Sequence, residues 1–190
     1  AGIYCNYGAR IVNSTIVKNN NTSASNYAAG VYSYNECSIL NSIIWGNRDN
    51  SGEANLSGSY NCQNSALEGS YSGTNIISLL PEPDGTMPLY PNFVNPSQTV
   101  GSNDATENVD WHLGNGSVCV NRGNNALLNV ADSLDMDGNA RIQMQTVDMG
   151  CYESPYEAIT LPEYNGIVYV KENGTGDGTS WNNAMSSISN

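Results

Sequence analysis

The sequence predicts an all-β fold, a solenoid of the parallel β-helix kind with about 28 residues per coil. The first observation behind this is a repeat. Gly2-Ile3-Tyr4 returns as Gly30-Val31-Tyr32, and Ile11-Val12-Asn13-Ser14-Thr15-Ile16 returns as Ile39-Leu40-Asn41-Ser42-Ile43-Ile44, with no gap. Seven of the eighteen positions from 2 to 19 recur identically between positions 30 and 47, including Asn19, which returns as Asn47. A period of this length marks stacked units, none of which buries its apolar face alone. The second observation is that the apolar runs are short, β-branched and bounded by Asn, Gly or Ser, as in Ile11-Val12 and Ile43-Ile44-Trp45, which is the pattern of strands of a few residues. The third is the scarcity of Ala, Leu, Glu and Lys at the 3.6-residue spacing that helical repeats require.

Each element follows in order. Three strands and their turns fit into one coil of this length, and stacked coils pair strand on strand at about 4.8 Å. Equivalent residues then form ladders: Asn13 with Asn41, Asn19 with Asn47, and Tyr4 with Tyr32. Asn suits this role because its amide both donates and accepts and because it tolerates the left-handed backbone of a sharp corner. A third coil begins near Asn64-Ser65-Ala66-Leu67. Asn64 follows Asn41 more closely than Asn41 follows Asn13, so residues 49–59 must differ in length from their counterparts. Residues 1–70 are thus the coils. Residues 71–155 are a long proline-rich loop, with Pro81, Pro83, Pro88, Pro91 and Pro96, followed by a segment that closes the end of the helix. Residues 156–166 read as a linker.

The phrases Gly2-Ile3-Tyr4 and Asn41-Ser42-Ile43-Ile44-Trp45-Gly46-Asn47 resemble the secreted right-handed parallel β-helix proteins of Bacteroidota, the choice-of-anchor and pectin-lyase-like group. Later phrases follow that group's C-terminal order. They are Pro91-Asn92-Phe93-Val94-Asn95-Pro96, Asp110-Trp111-His112-Leu113, Gly116 to Gly123, Asp135 to Arg141, and Val147-Asp148-Met149-Gly150-Cys151-Tyr152-Glu153. Val118 and Cys151 depart from the usual Pro and Ala. The resemblance implies a right-handed helix with an irregular C-terminal closing segment, in an extracellular or cell-surface protein. Ile167 to Lys171 followed by Gly174 to Trp181 resembles the opening phrase of the same group. Residues 167–190 are therefore expected to begin a second β-helix unit, so that the chain samples one junction of a tandem array.

Charge narrows the partners. The 190-residue chain carries 6 Lys and Arg against 18 Asp and Glu, a formal net charge of −12, which excludes nucleic acid because that affinity rests on basic residues neutralising phosphates. No apolar run is long enough for a membrane-spanning helix. The five cysteines show no CxxC and there is a single His112, so no zinc pattern exists. They read as small buried hydrophobes, with Cys119 and Cys151 the one disulfide candidate because both belong to the closing segment. Cys5 and Cys37 are separated by more than one period and so do not share a ladder.

The candidate chemistry is sparse. Asp135, Asp137 and Asp148 offer the alternating oxygen ligands, around a turn glycine, that suit calcium; no other cofactor is implied. The resemblance raises polysaccharide lyase or hydrolase activity, for which Lys18 and Arg48, beside Asn19 and Asn47, are the basic candidates. No pair of carboxylates recurs between coils, however, as a glycosidase would require. Tyr34, Trp45 and Tyr60 are candidate sugar-stacking faces. The expected function is a non-catalytic extracellular structural or adhesive segment of a large bacterial surface or secreted protein, whose partners are neighbouring β-helix domains, copies of itself, or glycans. The alternatives are a polysaccharide-degrading enzyme and a carbohydrate-binding module.

Overall fold

Asn13, Asn41 and Asn64 hold φ angles of 46°, 47° and 47°, the left-handed region that Asn enters more readily than other side-chain-bearing residues. Each ends one strand and starts the next, so these three residues are equivalent corners. The computed structural model describes residues 2–23, 27–79, 90–101 and 108–159. The strands are β1 (Ile3–Cys5), β2 (Ala9–Val12), β3 (Thr15–Val17), β4 (Asn20–Asn21), β5 (Val31–Leu40), β6 (Ile43–Trp45) and β7 (Arg48–Asp49). They continue with β8 (Gly52–Glu53), β9 (Leu56–Gln63), β10 (Ala66–Glu68), β11 (Ile77–Leu79), β12 (Phe93–Asn95) and β13 (Asp110–Leu113). Helix is confined to two short 3-10 turns, Asn125–Leu127 and Val130–Asp132, among the described residues.

The strands form parallel sheets with two antiparallel additions. In the first sheet β5 pairs with β1 and β2 on one side and β9 on the other, all parallel. In the second, β3, β6, β10 and β11 run parallel in that order. In the third, β4 pairs parallel with β7, and β7 turns back on β8 as an antiparallel hairpin. A separate antiparallel pair joins β12 to β13. The register reproduces the sequence repeat: Ile3 faces Val31, Ile11 faces Ile39, Ile16 faces Ile44 and Asn20 faces Arg48. Beyond β6 the spacing contracts, with Ile39 facing Cys62 and Ile44 facing Leu67. The β7–β8 hairpin lies inside the stretch where the sequence departs from the repeat.

Two apolar cores lie on either side of the second sheet, because successive side chains of a strand point to opposite faces. Ile16, Ile44 and Leu67 point to one core, which they share with Ile11, Val31, Ile39, Leu56, Cys5, Cys37 and Cys62. Ile43, Trp45, Ala66 and Leu79 point to the other, against Phe93, Leu113, Val118, Cys119, Val120 and Met149. That is why β6 and β10 are buried at every position. A fully buried Ile, Leu or Val side chain stabilises by about 1.5–3 kcal/mol relative to exposure, so Ile43, Ile44 and Leu67 anchor the second sheet to both cores.

Two features differ from the sequence expectation. The proline-rich stretch is not wholly loop, because β11 adds a further parallel strand to the second sheet. The closing segment lies along the outward face of that sheet rather than across its end. It is pinned there by backbone bonds from Gly150 N–H to the Asn41 carbonyl (2.8 Å) and from Gly101 N–H to the Lys18 carbonyl (2.8 Å). A three-residue apolar strand with both faces buried needs a cover, and residues 90–101 and 108–159 supply it. The linker beyond residue 159 and the expected second unit at 167–190 lie outside the described residues.

Candidate functional site

The corner serines and asparagines form hydrogen-bonded rows. Ser14 N–H donates to Ser42 Oγ and Ser42 N–H to Ser65 Oγ, both at 3.1 Å. Each hydroxyl in turn donates to the carbonyl two residues earlier, in Val12, Leu40 and Gln63. The Asn19 side-chain amide donates to Asn47 Oδ1 (2.8 Å), and the Asn47 amide donates to Asn55 Oδ1 (2.8 Å). Asn55 reaches on to the Glu68 carboxylate at 3.2 Å. Asn13 and Asn41 behave differently. Asn41 turns to the closing segment, donating to the Asn124 carbonyl (3.1 Å) and accepting from Asn124 N–H (2.8 Å), while Asn13 Oδ1 is buried without a hydrogen-bond partner.

The basic side chains beside these rows are engaged. Arg48 makes a two-pronged bridge to Glu68, 2.7 and 2.9 Å, and the Glu68 carboxylate also accepts from Gly46 N–H at 2.7 Å. Lys18 is buried, with its ammonium 4.6 Å from the centre of the Trp45 ring. Trp45 is only 1% exposed and packs against Tyr90 and Phe93. It therefore offers no face to a sugar, because its position in β6 points it into the second core. Tyr60 is half-buried and meets Tyr71 edge-to-face, whereas Tyr34 is well exposed.

The aromatic surface that does form is built from other tyrosines. Tyr4 and Tyr32 face one another in register between β1 and β5, with ring centres 5.5 Å apart, and Tyr27 lies 4.3 Å from Tyr32 and 6.4 Å from Tyr4. Tyr4 and Tyr27 remain about half exposed. Tyr27 also borders an open groove of about 410 Å³ whose other walls include Asp49, Glu53, Ser57 and Tyr71. Burial, reinforced by Glu53, pushes the Tyr71 phenol above its ordinary range, so it stays protonated and donates to Glu53 Oε1 at 2.6 Å. The groove is thus polar, acidic and rimmed by aromatic rings.

The candidate calcium ligands do not converge. Asp135 Oδ1 accepts from the N–H groups of Asp137 (3.0 Å) and Asn139 (2.8 Å), and Oδ2 from Glu153 N–H (3.0 Å). Asp148 accepts from Asn121 N–H (2.6 Å) and Ser154 N–H (2.7 Å). Asp137 lies instead against His112, with Oδ2 at 2.7 Å from Nε2. Backbone N–H dipoles pointing into a carboxylate repel a cation, and no group of three His, Cys, Asp or Glu suited to a metal exists among the described residues. The Asp135–Asn139 phrase is a turn, closed by Gly138 at φ 83° and anchored by the Arg141–Glu153 pair at 3.3 Å.

This turn nevertheless holds unusual titrating groups. Burial raises Glu153 to about 8, although Asp148 N–H and Arg141 oppose it, and burial also raises Asp148. Burial works the same way on Asp135, but the N–H groups of Glu153 and Asn139 outweigh it and lower the carboxyl. His112 was legible only as an isolated histidine in the sequence. It stacks on Tyr152 at 4.0 Å and places Nδ1 2.6 Å from Asp110 Oδ1. Burial pulls its pKa down, but the carboxylates of Asp137 and Asp110 raise it overall. Cys119 and Cys151 are not joined in the structure, and the close cysteine pair is Cys5 with Cys37. Among the described residues no helix is long and apolar enough to cross a membrane. Compared with known protein families, curated proteins and solved structures, the chain matches none.

Proposed function

We propose that the chain is a right-handed parallel β-helix segment of a large extracellular bacterial protein, with a structural or adhesive rather than catalytic role. The observation that carries this reading is the pairing of four successive strands with their counterparts one repeat later, β1 and β2 with β5, β3 with β6 and β4 with β7. Such stacking makes a stiff rod whose stability is a sum of neighbouring layers. Among the described residues β1, β2, β3 and β4 are the outer strands of their sheets, an edge suited to another coil of the same kind or to a copy of the chain. The engagement of Arg48 by Glu68 and of Lys18 by Trp45 speaks against a lyase base.

The test is incubation of folded protein with uronic and neutral polysaccharides, with and without calcium, following new reducing ends and unsaturated products. Neither is expected, and cleavage in either series overturns the structural reading. A second reading is glycan binding by the exposed Tyr4–Tyr27–Tyr32 group and the groove beside it. Net charge favours neutral over uronic glycans. Affinity electrophoresis in neutral glucans separates the two readings, since retarded migration abolished by Tyr27→Ala supports binding.

A further inference from the structure

We propose that Cys5 and Cys37 are joined by a disulfide that staples β1 to the neighbouring strand β5. Their sulfur atoms lie 3.0 Å apart, closer than packed sulfurs sit when unbonded and a short step from a bond of about 2.05 Å. The sequence offset hides this pair. Cys5 is opposite Ser33 and Cys37 is opposite Ala9, so the two are not cross-strand partners. Between those rungs both strands bend. Tyr7 and Gly8 adopt φ of 57° and 69° between β1 and β2, and β5 carries a register irregularity between Ser33 and Cys37. The two bends lie side by side and bring the cysteines together from opposite ends, inside the first core. Cys62 shares that core but sits opposite Ile39, and Cys119 belongs to the second core.

The burial of the pair decides when the bond forms. Cys5 is 3% exposed and Cys37 fully buried, and burial, then the contact with Cys5, pushes the Cys37 thiol up to about 12. In a folded, reduced chain Cys37 therefore offers almost no thiolate, and the thiolate is the attacking species. The staple belongs to folding rather than to redox signalling. The Cys5 thiolate attacks an external disulfide of the glutathione class, forming a mixed disulfide and expelling one thiol. The Cys37 thiolate then attacks the Cys5 sulfur, closing the bond and releasing the second thiol, so that two protein thiols are oxidised and one external disulfide is reduced to two thiols. The inference stands apart from the function proposed above, except that persistence of the bond requires an oxidising compartment.

The experiment is refolding of the full chain in oxidised and reduced glutathione, alkylation in denaturant and digestion without reduction. The expected result is a Cys5–Cys37 cross-linked peptide and alkylation of the other three of the five cysteines. Alkylation of all five, or a cross-link joining Cys37 to Cys62 or Cys119 to Cys151 instead, overturns the proposal. Cys62→Ser is expected to keep the cross-linked peptide, and losing it there also overturns the proposal. The oxidised chain should unfold at higher denaturant than the reduced one. Cys5→Ser should unfold with the reduced midpoint in both buffers, and a midpoint still sensitive to oxidation in that variant counts against the staple.

Discussion

The side-chain amide of Asn19 donates to the side-chain oxygen of Asn47 at 2.8 Å, one full repeat further along the chain. The same oxygen accepts from Asn19 N–H at 3.0 Å, and the Asn47 amide donates onward to the Ile16 carbonyl (2.9 Å) and to Asn55 (2.8 Å). Asn47 is fully buried, so these bonds have no water to replace them. Asn47→Ala leaves the Asn19 N–H, the Ile16 carbonyl and Asn55 Oδ1 short of a partner, and is expected to cost about 3 kcal/mol. Asn19→Ala, at a half-buried position on the outer end of the row, should cost about 1 kcal/mol. Urea unfolding of the two variants checks the ratio. Equal losses would mean that the row is not cooperative.

Glycine is the other half of this device. A Cβ on Gly2 would lie 2.8 Å from the Asn19 amide, and a Cβ on Gly30 would lie 2.9 Å from the Asn47 amide and 2.3 Å from the Asn55 carbonyl. The repeated Gly2 and Gly30 therefore make room for the repeated asparagines. Gly30→Ala must displace backbone, whereas Gly2→Ala displaces the end of one side chain. Gly30→Ala is expected to destabilise by about 2–3 kcal/mol, in the range of overpacked sites, and Gly2→Ala by under about 1 kcal/mol. Thermal unfolding of the pair decides it.

Much of this architecture was legible in the letters because each repeated residue does one local job. Asn13, Asn41 and Asn64 are corners by their own backbone preference, and Ser14, Ser42 and Ser65 bond within two residues of themselves before reaching the next strand. What could not be read depends on residues far apart in the chain. Trp45 looked like a surface platform, because nothing in Ile43-Ile44-Trp45 announces that Tyr90 and Phe93 will cover one of its faces. The contact of His112 with Asp137 spans 25 residues of irregular chain. The nearness of Cys5 and Cys37 arises from two bends that the repeat, by its regularity, conceals.

The Arg48–Glu68 bridge gives a third prediction. The Glu68 side chain is 2% exposed and the Arg48 side chain 24%, and the carboxylate also holds Gly46 N–H and the Asn55 amide. Removing the guanidinium by Arg48→Ala strands a buried negative charge, and is expected to cost about 3 kcal/mol. The double variant Arg48→Met with Glu68→Gln should recover part of that loss, since the uncompensated charge is gone. A double-mutant cycle by denaturant unfolding measures the coupling, and additive losses would count against a shared pair.

The closing turn predicts an uncommon pH dependence. Glu153 has an ordinary value of 4.5 and is raised by burial to about 8. Between those values the folded state holds a proton that the unfolded state has released, so stability falls as pH rises across that window. The slope has a ceiling of about 1.4 kcal/mol per pH unit. Asp148, also raised by burial, acts in the same sense. Asp135 acts in the opposite sense. Burial opposes its ionisation, but the N–H groups of Glu153 and Asn139 lower its carboxyl below 3.8, so the stability it contributes is lost as pH drops through that lowered value. Stability should therefore peak in mildly acidic solution, on the acid side of neutrality. His112 reinforces the alkaline loss. Burial lowers it, yet Asp137 and Asp110 raise it above 6.5, so its contribution is full below 6.5 and disappears as pH climbs through the raised value. Because His112 and Asp137 are both more than a third exposed, solvent screening holds that share below about 1 kcal/mol. Urea midpoints from pH 4 to 9 should slope downward from about pH 5 in the parent chain, lose most of that slope in Glu153→Gln, and in His112→Phe, which keeps a ring against Tyr152, become only slightly shallower above 6.5. An unchanged slope in Glu153→Gln would move the buried proton to Asp148.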